Sequence, residues 1–467
     1  MTTQLATPAA ASAPQWNTLQ VLKASRAAIL LCDALLLIAL LIGTWVDRDA
    51  MKAIGKDSAP SIIAAQQVRY RLAGMDADAA KALLAPPNTA SSATDDFDLQ
   101  EINASKSLID AAKNEKTDSA ERAPLESLEV SVATYERLIQ ESQDMHDSGS
   151  TDTGSHDNPS PDDVPYYVRY YRGASILMDG TLLAAADDLD LANYNELRNA
   201  YNAHRVSSLA ALAFMSLAGL AMLAALVWTQ MFLSRRTKRT VNPLLVVATL
   251  LSLGLILHAL IAVGVEEHDL KVAREDAFDS IYALSHARSV AYAANAEESR
   301  WLLDPAHASD YERAFAQDSA DLMTLPPDIP LATVLRREDS GEHVAGFSGY
   351  LADELHNTTF PGEREAAAAT LTSFDQYLKI DAHIRSLEHP DAVTACIGTN
   401  PGDSGWAFTQ FNKALTRTLE INQDVFKDEV AAGLSALKGM EWKASIAAAL
   451  IAIFAVLGLS ARIREYE

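Results

Sequence analysis

The sequence predicts an all-α membrane protein with four transmembrane helices and two extracytoplasmic helical-bundle domains, in a duplicated span–bundle–span arrangement. Three observations predict this. Four long apolar stretches are almost free of charge. The acidic residues fall in the two long blocks between them, whereas basic residues gather in the short segments. Outside the stretches, apolar residues recur at helical spacing, and no run of alternating β-branched residues marks a sheet.

Charge carries the first argument. The 467 residues have a net charge of −24, which excludes a nucleic-acid-binding protein, whose footprint would be basic. Residues 47–205 hold 28 acidic and 15 basic side chains, residues 266–441 hold 31 and 14, and the remainder holds only 3 and 9. Cys32 and Cys396 are the only cysteines, so no disulfide framework and no CxxC pair is available. Each block is large enough to build its own core.

The spans are Ala27–Val46, Ser207–Leu233, Val241–Val265 and Ala444–Ala461. Each reaches or approaches the roughly 20 helical residues that a bilayer requires. Lys23 and Arg26 precede the first, Arg235, Arg236, Lys238 and Arg239 fill the hairpin between the second and third, and Arg462 and Arg464 follow the fourth. The positive-inside rule makes these flanks cytoplasmic and the acidic blocks external, in a plasma (inner) membrane with both termini inside. Trp45 and Trp442 then fall at the outer interface and Trp228 near the inner one. The first span is too long for a signal-peptide core, contains Asp33 and ends in Thr-Trp-Val-Asp, so it reads as a retained anchor.

This divides the chain into tail 1–26, span 27–46, outer domain 47–206, span 207–233, hairpin 234–240, span 241–265, outer domain 266–443, span 444–461 and tail 462–467. Shifting Ser61–Pro86 by 219 positions onto Ser280–Pro305 gives eight identities, among them Arg69/Arg288, Ala77/Ala296 and Pro86/Pro305. Asp76/Asn295, Asp78/Glu297 and Lys81/Arg300 match in kind. The same shift carries span one onto span three without a gap, which points to an internal duplication. Helices are expected over Glu101–Lys113, Leu125–Met145, Arg364–Leu387 and Trp406–Leu437. Pro165 is expected in the first turn of a helix behind the caps Asp162 and Asp163. Asp147–Asp163, Leu325–Pro330 and His389–Gly405 are expected to be irregular.

Few residues suggest chemistry. Gly402-Asp403-Ser404-Gly405 copies the tetrapeptide around a serine-protease nucleophile, but that enzyme needs two β-barrels. Capping of the following helix by Asp403 or Ser404 explains the same residues. Asp33 and His258 are ionisable within the spans, but their depths differ by about 16 Å at 1.5 Å per residue, too far for a hydrogen bond. Tyr166, Tyr167, Tyr170 and Tyr171 form two i, i+4 pairs that either line a ligand pocket or fill a bundle seam. Tyr167, Tyr170 and Tyr171 are the ligand candidates among them. Arg69 and Arg288 hold equivalent places and either clamp a carboxylate ligand or pair with neighbouring acids. Asp95, Asp96, Asp98 and the aspartates of the 147–163 segment lack the EF-hand order, so no metal site is expected there. No cofactor motif and no catalytic set stands in a usable context. The cytoplasmic parts are too short for a kinase, cyclase or nucleic-acid-binding domain. A signal must leave through partners, by the hairpin residues Arg235, Arg236, Lys238 and Arg239 or by helix contacts. Alanines 444, 448 and 452 offer a small-xxx-small face for the latter.

Ala283–Pro305 (ALSHARSVAYAANAEESRWLLDP) and Trp406–Phe426 (WAFTQFNKALTRTLEINQDVF), with the four-span layout and basic hairpin, resemble the bacterial transmembrane proteins typified by actinobacterial GlnX. That resemblance implies a sensor relay working with a glutamate-binding lipoprotein (GlnH) and a cytoplasmic kinase (PknG). The expectation is a non-enzymatic sensor or signal-relay protein. It would use membrane lipids, an extracytoplasmic solute-binding protein or small molecule, and a cytoplasmic or membrane signalling partner. A structural envelope protein and a transport component are the alternative classes.

Overall fold

A computed structural model describes residues 18–88, 92–113, 120–149, 164–237 and 242–465. Within them the chain is helical, and the one β-contact is an isolated bridge between Thr324 and Ser348. In chain order the helices are α1 (Thr18–Lys52), α2 (Ala59–Leu84), α3 (Ser92–Ala112), α4 (Arg122–Asp147), α5 (Tyr166–Leu177), α6 (Leu183–Thr237), α7 (Pro243–Lys271) and α8 (Asp279–Leu303). Then come α9 (Ala308–Leu322), α10 (Leu331–Asp339), α11 (Tyr350–Asn357), α12 (Glu363–Ile384), α13 (His389–Ile397), α14 (Ser404–Ala436) and α15 (Met440–Arg464). Short π-helical segments, Ala53–Ser58 and Val272–Phe278, join α1 to α2 and α7 to α8, and they begin 219 residues apart.

The chain forms two compact units. The first comprises residues up to Met51, Tyr201–His268 and Ala432 onward. It holds the four helices long and apolar enough to cross a membrane. Leu22, Ile29, Leu36, Leu40, Met222, Leu226, Leu245, Ile451 and Leu459 fill its core. Leu31, Leu217 and Ile261 are more than 60% exposed, as lipid-facing side chains are. Two polar side chains tie its helices together: Gln230 Nε2 donates to Leu245 O at 3.0 Å and Thr249 Oγ1 at 2.8 Å, and Asn242 Nδ2 donates to Gly458 O at 2.9 Å. Trp45, Trp228 and Trp442 are exposed, as aromatic-belt residues are. The small face of span four is used internally, because Ala444 and Ala448 are buried within this unit.

The second unit comprises Lys52–Ala200 and Asp269–Ala431, so both acidic blocks contribute to one compact body. At its centre α2 packs against α8. Eighteen of the 26 residues of α2 and 17 of the 25 of α8 are buried. A helix buried nearly all round must be rich in small residues, which is why both are alanine-rich. Around them α3 lies on α2, α9 on α8, and α4 pairs with α5.

The helices expected from periodicity appear as α3, α4, α12 and α14; each begins before its expected start, α3 at Ser92 and not Glu101, and all but α4 end short of the expected last residue, α12 at Ile384 and not Leu387. Three local expectations differ. Pro165 is the N-cap residue of α5 and stands one place before its first turn. His389–Ile397 is helical, with Pro390 in its first turn and Ala392 and Cys396 buried, so the apolar spacing at those two positions outweighs the flanking turn residues. The Ser404 side chain does not cap: it donates to Glu298 Oε2 at 2.6 Å, while Asp403 Oδ2 accepts from the Asn400 backbone amide at 2.9 Å. Most of the 147–163 segment, and Lys238 and Arg239, lie outside the described residues.

Candidate functional site

The polar residues of α2 and α8 meet along a buried seam. Pro60 shares a groove with Ile281, Arg69 lies by His286, Tyr70 by Tyr292 and Lys81 by Asn295, so the two helices run parallel. In a parallel pair of related helices, a contact from residue i to residue j can recur as j to i across the seam. Two such contacts occur. Lys81 Nζ donates to Asn295 Oδ1 at 2.5 Å, and Arg300 Nη2 donates to Asp76 Oδ2. Asn295 is Asp76 plus 219, and Arg300 is Lys81 plus 219.

Each half of the seam is completed by a tyrosine from a flanking helix. Tyr135 of α4, fully buried, donates to Asp76 Oδ1 at 3.1 Å. Tyr377 of α12, also fully buried, donates to Glu298 Oε2 at 3.1 Å and accepts from Asn295 Nδ2 at 3.3 Å. Arg300, 3% exposed, also pairs with Glu297, reaches the Tyr171 hydroxyl at 3.2 Å and meets the half-exposed Asp179 at 3.1 Å. Next to this centre, Arg172 makes a bidentate pair with Asp304 at 3.0 and 2.9 Å.

Burial sets the electrostatics. It raises the Asp76 carboxyl pKa, against the opposing Arg300 charge. Surrounded by carboxylates, Arg300 is held more firmly protonated than usual despite its own burial. Burial pushes Asp78 and Glu297 up to about 7, with Lys81 and Arg300 respectively opposing. Glu298 also rises to about 7, through burial and the nearby Asp381 charge. The seam therefore holds carboxyl groups that change charge near neutral pH.

The sequence candidates divide. Arg69 pairs with Asp187 and contacts His286 Nδ1 at 3.4 Å. Burial, with the Arg69 charge adding, lowers the His286 pKa to about 4, so this imidazole is neutral. Arg288 lies within the seam, its guanidinium 5.1 Å from the Tyr70 ring centroid and donating to Thr416 Oγ1 at 2.6 Å. Burial lowers its pKa, and the described residues place no carboxylate in an ion pair with it. Tyr171 is buried at the Asp76–Arg300 centre. Tyr167 lies elsewhere, against His146 at 5.1 Å between ring centroids, in a groove of about 690 Å³ with Leu302, His389 and Val393. Tyr170 is half-buried and joins neither group. The tyrosine stripe thus serves two environments.

In the first unit, Asp33 is 6% exposed, and His258 Nε2 lies 3.2 Å from Lys443 Nζ. No hydrogen bond joins Asp33 to His258. Arg235 and Arg236 end α6 on its exposed side. Sequence reasoning did not single out Asp76, Glu297, Glu298, Arg300, Tyr135 or Tyr377 as site residues. The signal was the set of matched polar positions, Asp76/Asn295, Asp78/Glu297 and Lys81/Arg300, in helices otherwise rich in alanine.

The family model described as Actinobacterial sensor domain matches residues 50–202. Comparison with curated proteins and with solved structures gives no match. The matched segment covers α2 to α5 and the N-terminal part of α6. With four helices apolar and long enough to span a bilayer, it marks a sensor-type, all-helical membrane protein.

Proposed function

We propose that this protein is a non-enzymatic sensor and signal relay of the plasma membrane, with its termini and the 234–240 hairpin cytoplasmic. One observation carries the reading. The central helices α2 and α8 belong to helical runs, Thr18–Leu84 and Pro243–Leu303, that also contain apolar spans. A shift at the seam therefore acts on the same helices that cross the bilayer. The chain is an internal duplication, supported by the two π-helical segments 219 residues apart and by the reciprocal contacts of the seam. The input is a small molecule or an extracytoplasmic solute-binding protein. The output is read by a cytoplasmic or membrane partner at Arg235, Arg236, Lys238 and Arg239. The resemblance to the GlnX family makes a glutamate-binding lipoprotein and a PknG-type kinase the first partners to test. A ligand shifts such a two-state element only by its differential affinity for the two states.

The test uses the full-length protein in lipid nanodiscs. Crosslinking pull-down identifies its partners, and hydrogen exchange of α2 and α8 is then followed as amino acids or captured binding proteins are added. A change in exchange in both helices, together with altered hairpin crosslinking, is expected. Exchange indifferent to every captured partner would remove the relay reading. Reporter fusions after residues 150, 238 and 350 should read outside, inside, outside.

A further inference from the structure

We propose that Asp47, His204 and Glu266 form a binding site for a zinc-type divalent cation. Each comes from a different helix of the first unit: Asp47 from α1, His204 from α6 and Glu266 from α7. One ligand atom from each lies within 4.8 Å of the others. His204 Nε2 stands 3.7 Å from Glu266 Oε1, beyond hydrogen-bond length but suited to two atoms sharing an ion between them.

Burial is the second, independent observation. Asp47 is 1% exposed, His204 8% and Glu266 0%. Asp47 Oδ1 and His204 Nδ1 are buried with no hydrogen-bond partner among the described residues. Asp47 thus keeps a buried carboxylate oxygen that no group answers, and leaving such an atom bare is costly. A dication bound between the three side chains would answer it. One nitrogen and two carboxylate oxygens match the donors that zinc takes at about 2.0–2.2 Å, leaving a fourth position open.

Position gives the set a role. Asp47 and Glu266 are 219 residues apart, the offset of the matched seam residues. The sensor-domain match begins three residues after Asp47 and ends two before His204. The ion therefore ties α1, α6 and α7 together where the sensor segment leaves its flanking helices. A second cluster, Glu338, His343 and His356, is less suited. The Glu338 carboxylate already accepts the Val344 backbone amide at 2.8 Å, and the His343 side chain is 70% exposed.

The test uses tag-free, full-length protein in nanodiscs, stripped with a chelator and dialysed against micromolar Zn²⁺. A His343→Ala/His356→Ala background removes the exposed set. One zinc per chain should remain there. In Asp47→Asn/Glu266→Gln and in His204→Gln, affinity should fall by at least about 100-fold, the upper end of what loss of a supporting partner alone costs. Without metal, the double variant should keep the helical circular dichroism and the cooperative melt of the parent, so lost binding is separable from misfolding. Co²⁺ should give the parent d–d absorption bands that Zn²⁺ displaces. Absence of micromolar binding, or loss of all binding on removing His343 and His356 alone, would overturn the site.

Discussion

Replacing Arg300 by methionine tests the seam most directly. The guanidinium is 3% exposed and answers two buried carboxyls, Asp76 and Glu297, with the Tyr171 hydroxyl at 3.2 Å. Methionine keeps much of the volume and removes all the donors. The exposed half of Asp179 makes its pair worth little, so the cost lies with the two buried acids. Breaking a buried pair from one side costs about 3–5 kcal/mol, because the partner's desolvation remains without its compensation. Part of that cost disappears when the acids are protonated. Glu297 already has a raised pKa of about 7 in the folded protein, against an unfolded value of 4.5. A raised carboxyl contributes stability below its unfolded pKa that is lost as pH rises through the folded value. Arg300→Met raises both acids further and steepens this loss. The deficit should thus reach about 3–5 kcal/mol at pH 8 and shrink at pH 5.5. Pulse proteolysis across a urea series, on full-length protein in nanodiscs, reads the difference. Asp76→Asn/Arg300→Met should recover at least about half of the loss. A deficit under about 1 kcal/mol at pH 8, or one independent of pH, would refute the electrostatic account of this centre.

Other perturbations address separate parts of the second unit. A Cβ on Gly55 would overlap the Val430 side chain, so Gly55→Ala should cost about 1–3 kcal/mol by overpacking and be rescued by Val430→Ala, measured by thermal melting. Glu298, at about 7 against 4.5 unfolded, should contribute about 2–4 kcal/mol that is present at pH 4.5 and lost by pH 8. Glu298→Gln should flatten that slope, and an unchanged profile would show that the carboxyl ionises normally. Cys396 is fully buried, and burial drives its thiol pKa up. In a Cys32→Ser background it should resist N-ethylmaleimide until the bundle unfolds, and rapid labelling of the folded protein would contradict its burial.

How far the sequence could be read depended on whether a feature was local. Spans and helices follow from periodicity within one segment, which is why α3, α4, α12 and α14 appear where the spacing puts them. The seam is different. Asp76 and Arg300 are separated by 224 positions, and neither has a local pattern that marks it as buried or paired. In an alanine-rich helix, a lone aspartate looks like a residue on a solvated face. Only tertiary packing, with α2 and α8 against each other and α3 and α9 on their other sides, buries both faces of each helix. The offset of 219 held the clue, because the polar residues matched in kind where much of the surrounding helix was interchangeable. Ser404 makes the same point from the other direction: its tetrapeptide is a local resemblance, and its actual partner, Glu298, lies 106 residues away.

The seam's cost is an argument about its use. Substituting well-packed apolar residues for a buried ion pair is often neutral or stabilising by about 1–4 kcal/mol, so stability alone does not explain why charges occupy the centre. Register does. The ridges of two alanine-rich helices are nearly uniform, and a slip of one turn, about 5.4 Å, would cost such surfaces little. That same slip would strand Arg300 from Asp76 and Lys81 from Asn295 together, since the two contacts are related by one offset. The network thus selects one register and sets a penalty on others, which is what the relay proposed for α2 and α8 would require. Replacing Asp76 by leucine, Glu297 by glutamine and Arg300 by methionine in one chain, which leaves no member of the charge set stranded, should then cost the unit less than about 3 kcal/mol against urea. Amide hydrogens along α2 and α8 should nevertheless exchange faster, because several registers become accessible below the global unfolding energy. If that variant were destabilised by more than about 3 kcal/mol, with exchange speeded only as far as the fall in global unfolding energy accounts for, the charges would serve stability and the register argument would fail.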